Sequence, residues 1–75
     1  KTPVIIELKV SRGHERVLGQ VLYYEAQVKR LLHTEKTRII VIASQISEEL
    51  KVASETVKNL EMFEYKLSMD LTKIG

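Results

Sequence analysis

The sequence predicts an α/β fold: a β-α-β-α-β unit with a mostly parallel or mixed sheet. Three observations lead there. Two short β-branched apolar runs, Val4 to Val10 and Arg38 to Ala43, have the length and composition of strands. Each is followed by a stretch in which apolar residues recur at helical spacing. The chain then closes on strict alternation of apolar and polar residues from Phe63 to Leu71. Strands separated by crossover helices pair in parallel and connect right-handedly.

The first run, Val4-Ile5-Ile6-Glu7-Leu8-Lys9-Val10, puts residues two apart on one face. Val4, Ile6, Leu8 and Val10 form one wholly apolar face. Ile5, Glu7 and Lys9 share the other. Ser11-Arg12-Gly13-His14 reads as a turn, with Gly13 as the breaker. From about Glu15 to His33 the period is helical, and Val17, Val21, Tyr24, Val28 and Leu31 form one apolar stripe, broadened by Leu18, Leu22 and Leu32. Lys29, Arg30 and His33 suit the helix C-terminus, where the macrodipole favours cations. Gly19 should cost this helix about 0.5–1 kcal/mol relative to Ala. The expected compensation is close approach of the helix to the sheet; the plain alternative is tolerance.

Thr34 to Thr37 read as a polar loop. The unbroken Ile39-Ile40-Val41-Ile42 predicts a strand buried on both faces. Ser44 to Ser47 supply turn and N-cap chemistry, with Glu48 and Glu49 in the favourable first turn of a second helix. That helix is expected to reach about Asn59 with Ile46, Leu50, Ala53 and Val57 inward. In the closing strand Phe63, Tyr65, Leu67, Met69 and Leu71 share the buried face, and Glu64, Lys66, Ser68 and Asp70 the wet one.

With 75 residues the chain is at most one small domain, which buries only about 60% of its unfolded surface. It has no cysteine, so disulfides and thiolate metal sites are excluded. His14 and His33 have no zinc-site spacing. The apolar run Ile39 to Ala43 falls far short of the ~20 residues that span a bilayer, and no signal peptide is visible. A soluble, cytoplasmic protein without a membrane partner is the default expectation. Residues 1–38 hold eight Lys/Arg and four Glu, a net of +4; residues 39–75 hold four Lys and six acidic residues, a net of −2. The basic half is compatible with an approaching polyanion, and equally with an ordinary solvated surface.

Glu7 and Lys9 are the candidate chemical pair. A carboxylate can hold a divalent cation while an adjacent ammonium steadies a water or a phosphate. Charged pairs two apart on a strand are also common without any such role. Context favours chemistry, because open parallel sheets bind ligands outside the carboxyl ends of their strands. Gln20 and Tyr24 lie four apart on one helix face, continued by Gln27. They either reach toward Glu7 and Lys9 or are a surface amide and a core-edge tyrosine. Arg12, His14 and Arg16 can contact phosphates or form a solvated basic loop.

Glu7-Leu8-Lys9 on a strand, followed by a helix with Gln20-Val-Leu-Tyr-Tyr24, resembles the PD-(D/E)XK nuclease superfamily. The Gln-x-x-x-Tyr spacing resembles its RecB-like group. The run from Val4 to Tyr24 is similar to the catalytic segment of NucS/EndoMS-like endonucleases, and Phe63-Glu-Tyr-Lys-Leu-Ser to the end of that type of domain. The resemblance implies hydrolysis of DNA phosphodiesters with Mg2+ or Mn2+. It makes Glu7 and the Leu8 carbonyl metal ligands, Lys9 the residue that orients water or stabilises the phosphate, and Gln20 and Tyr24 supports of the site. The family's catalytic Asp lies on a strand before the Glu-x-Lys strand. Asp70, the one aspartate here, is at the wrong end for that role. The chain is therefore expected to be the second half of a nuclease domain, inactive alone, partnered by DNA and by either its N-terminal half or a second copy. The rival expectation is a non-catalytic α/β module that binds DNA or protein.

Overall fold

The computed structural model describes residues 1–66. Strand β1 (Val4–Gly13), helix α1 (Arg16–Leu32), strand β2 (Arg38–Ile46), helix α2 (Glu48–Ser54) and strand β3 (Leu60–Glu64) follow in that order. The sheet order is β1-β2-β3 and both pairings are parallel. Because the sheet is wound in one direction throughout, right-handed crossovers put both helices on the same side. Val17 and Val21 of α1 and Leu50 of α2 pack on Ile39, Val41 and Ala43 of β2, with Ile5, Leu60 and Met62 beside them. The result is a two-layer fold with one covered and one bare sheet face.

Register explains which residues are covered. Ile5, Glu7 and Lys9 pair with Ile39, Val41 and Ala43, and these with Leu60, Met62 and Glu64. The intervening Ile6, Leu8, Ile40, Ile42 and Phe63 project from the opposite face. Ile6 and Leu8 are 62% and 60% exposed there, and Val10 84%. The expected burial of β2 on both faces is thus corrected: Ile39 and Val41 are buried, whereas Ile40 and Ile42 are half-buried, because nothing among the described residues lies over them.

Both long strands outrun their expected ends. Ser11 to Gly13 are strand, not turn, because a register shift between Lys9 and Arg12 lets β1 continue against Gln45 and Ile46. Such a bulge bends a strand without ending it. Gly13 is a packing position there: a Cβ would lie 3.3 Å from the Ala43 Cβ and 3.4 Å from Leu50 Cδ2. Ser44 to Ile46 belong to β2, so only Ser47 remains of the expected turn. Its hydroxyl accepts from the Leu50 N–H at 3.1 Å and caps α2 as expected.

The helices also differ from expectation. α1 has its expected limits, with His33 in the left-handed conformation after its last turn, but its inward stripe is rotated. Val17, Leu18, Val21 and Leu22 face the core, while Tyr24 is half-exposed and Leu31 is 78% exposed. The next residue in the inward row is Glu25, not Tyr24. A Cβ added at Gly19 would meet nothing beyond its own helix within 4 Å, so close approach to the sheet does not explain the glycine. α2 stops at Ser54, not near Asn59, and buries Ser54 while Ala53 is exposed. Turns closed by Val57 N–H to Ser54 O and Leu60 N–H to Val57 O bring Leu60 beside Ile39. That register puts Met62 on the helix side and leaves Phe63 half-exposed on the bare side, reversing the expected faces of the closing strand. The rest of that expected alternation, Leu67 to Leu71, lies outside the described residues.

Candidate functional site

Strand alternation sets Glu7 and Lys9 side by side under α1. Lys9 Nζ is 3.4 Å from Glu7 Oε2, and both side chains keep partial access to water. The bulge after Lys9 redirects the end of β1, so that Lys9, Ser11, Arg12, His14, Arg16, Val17 and Gln20 line one cleft of about 240 Å3. It lies outside the carboxyl end of β1, where open α/β sheets place ligands. The start of α1 adds to its positive field. Glu15 makes no side-chain cap, and no acidic residue occupies the first turn. The Glu15 carboxylate at the N-cap offsets part of the macrodipole's positive end, and Arg16 adds a positive charge beside it. This arrangement suits a phosphate or another polyanion.

The structure brings Lys9, Arg12, His14, Arg16 and Gln20 together, with Glu7 adjoining through Lys9. Ser11 joins them; reading it as a turn residue hid its position. Tyr24 does not line the cleft, and its ring lies tilted 6.0 Å from that of Tyr23. Gln27 donates to the Tyr23 hydroxyl at 3.4 Å. Tyr24 is one turn along α1 from Gln20, where the resemblance needs a supporting residue, but its partner among the described residues is another tyrosine.

A magnesium or manganese ion would find a partial donor set. The Arg38 N–H donates to the Pro3 carbonyl at 2.9 Å. Alternation along a parallel strand then turns Val4, Ile6 and Leu8 outward, so the Leu8 carbonyl lies at the open edge of the sheet. One carboxylate and one carbonyl fit Mg2+, which usually keeps several waters and takes one or two carboxylates. No three His, Asp or Glu side chains converge among the described residues.

A second polar cluster lies at the other end of the sheet. The Glu25 carboxylate accepts from the Thr37 hydroxyl and from Asn59 Nδ2, the latter at 2.7 Å. Asn59 Nδ2 also reaches the Thr37 carbonyl at 3.1 Å, and Lys29 Nζ stands 3.7 Å from the carboxylate. Burial pushes the Glu25 carboxyl upward, but hydrogen bonds from Thr37 and Asn59 and the charge of Lys29 outweigh it, and the net shift is downward. Thr37 and Asn59 immediately precede β2 and β3, so the cluster ties α1 to the amino ends of two strands. A glutamate on the apolar row Val17-Val21-Glu25 was the sequence signal for it. At the far end of β3, Glu64 accepts from the Ile46 N–H at 2.8 Å rather than facing water alone.

No family model, curated protein or solved structure matches this chain in the comparisons with known proteins. What the fold and cleft define is a small parallel α/β unit with a basic, strand-end cleft. No helix among the described residues is long and apolar enough to cross a membrane.

Proposed function

We propose that this chain carries the Glu-x-Lys half of a metal-dependent DNA nuclease core of the PD-(D/E)XK, RecB-like type. The observation that supports it is the Glu7–Lys9 pair, 3.4 Å apart, of which Lys9 lines a cleft with Arg12, His14, Arg16 and Gln20. In this reading Arg12, His14 and Arg16 draw the DNA backbone toward the carboxyl end of β1. Lys9 donates to a non-bridging phosphate oxygen or to the attacking water, and Glu7 holds Lys9 in place. Gln20 closes the cleft from the helix side. Glu7 and the Leu8 carbonyl would hold Mg2+ or Mn2+, which when bound polarises a phosphoryl oxygen and acidifies a water.

The test is nicking of labelled DNA by the protein that carries this sequence, with and without Lys9→Ala, alongside thermal melting. The expected result is loss of cleavage with an unchanged melting temperature; near wild-type cleavage sinks the assignment. The basic cleft also suits a module that binds DNA without cutting it. Salt-dependent binding that persists in Lys9→Ala, with no metal-stimulated cleavage by either protein, would favour that second reading. In both readings, changing Arg12 and Arg16 to Ala should lower the log–log salt slope by about 0.9 for each duplex phosphate that is no longer neutralised.

A further inference from the structure

β1 is unpartnered in two directions. Its outer edge carries no strand among the described residues, and its bare face exposes Ile6, Leu8 and Val10. From Val4 to Lys9 the register with β2 is unbroken, so this stretch is straight enough to template another strand. The outward backbone groups are those of Val4, Ile6 and Leu8, as the Pro3–Arg38 hydrogen bond requires.

The charge pattern selects what can lie there. Glu7 and Lys9 flank Leu8 symmetrically. If two copies of β1 run antiparallel about a two-fold axis at Leu8, each Glu7 faces the Lys9 of the other copy. Leu8 then faces Leu8 as a hydrogen-bonded pair, and Ile6 falls opposite Val10, the first residue past the unbroken stretch. Glu7 and Lys9 fall at non-hydrogen-bonded positions, where side chains are closest. The strand is thus self-complementary in charge, in hydrogen bonding and in apolar contact, as an isologous interface must be.

We propose that β1 pairs antiparallel with β1 of a second copy, Leu8 on the axis, making a six-stranded sheet. The two copies' Glu7 and Lys9 then form a four-charge cluster beneath the α1 helices. The inference stands on the edge and its charges, not on the nuclease reading; it commits Leu8, Glu7 and Lys9 to a second copy where that reading commits them to metal and phosphate, and cleavage is not its readout.

The experiment uses the 75-residue chain, which has no cysteine of its own. Light scattering should return twice the 8.6 kDa chain mass. Oxidation should join Leu8→Cys to itself, because Cα atoms of a hydrogen-bonded pair are about 5.5 Å apart, within disulfide range. Ile6→Cys should not join to itself, since its copies would be about 13 Å apart along the strands, but should join to Val10→Cys when the two are mixed. Glu7→Lys or Lys9→Glu alone puts like charges opposite each other twice and should weaken the dimer about tenfold. The double swap should restore it, which separates a pairing defect from a folding defect. A monomer at high micromolar concentration overturns the proposal and makes Glu7 and Lys9 guards of a solitary edge. Equal self-crosslinking of Leu8→Cys and Ile6→Cys overturns the register.

Discussion

Two glutamates between α1 and the sheet, Glu25 on the helix and Glu7 on β1, meet opposite environments. Glu25 lies at the amino end of the strands, satisfied by Thr37 and Asn59 and approached by Lys29. Glu7 lies toward the carboxyl end of β1 and has one ion-pair partner among the described residues, Lys9 at 3.4 Å. A part-buried charge with several hydrogen-bond partners fixes how elements meet, while a loosely paired and partly wet charge stays available to a ligand. The molecule thus divides into a stabilising end and a receptive end. That division follows from parallel topology, which gathers the loops leaving β1 and β2 on one side and the loops entering β2 and β3 on the other.

The strongest challenge to this division is Asn59→Ala. It removes the Nδ2 donor that the Glu25 carboxylate and the Thr37 carbonyl share and leaves the direct Thr37–Glu25 hydrogen bond to hold α1 to β2 alone. A loss of about 2–3 kcal/mol in urea unfolding is expected. A loss below ~0.5 kcal/mol would mean that the amino end is not the stabilising one.

The pH dependence is the next largest effect. Because the Glu25 carboxyl is held below its ordinary value, its contribution is complete above the ordinary glutamate range. It should fade as the pH drops through the lowered value. Melting temperature followed from neutral to acid pH should fall more steeply in the wild type than in Glu25→Gln. Parallel curves would remove the charge from the account.

Gly19→Ala probes the outer side of α1 between the two ends. A Cβ there meets nothing within 4 Å, so the substitution should stabilise by about 0.5–1 kcal/mol. A destabilised variant would point to a conformational need for glycine. The smallest effect is expected at the receptive end. Lys9→Ala should change unfolding free energy by no more than about 0.5 kcal/mol, because its ion pair is partly solvated. A larger loss would make the Glu7–Lys9 pair structural and erase the contrast with Glu25.

Local sequence was enough to set the class, the order of the five elements and the pairing of Glu7 with Lys9. These follow from local periods: two for a strand, 3.6 for a helix, and a Ser47 cap before Glu48 and Glu49. It also carried the basic character of the segment from Lys9 to Arg16. Local period cannot say which way an amphipathic helix rolls when apolar residues occupy most of its faces. Docking on the sheet chose the Val17-Val21-Glu25 row and turned Tyr24 away from the cleft. Nor does alternation say which face of a strand is covered. The one-way winding of the sheet put both helices beside Val41 and Met62 and left Ile6, Leu8 and Phe63 bare. The bulge that carries β1 on to Gly13 and the meeting of Glu25, Thr37 and Asn59 depend on contacts between residues distant in the chain. Those features were settled in three dimensions, because their energies arise from register and packing rather than from any residue's own preference.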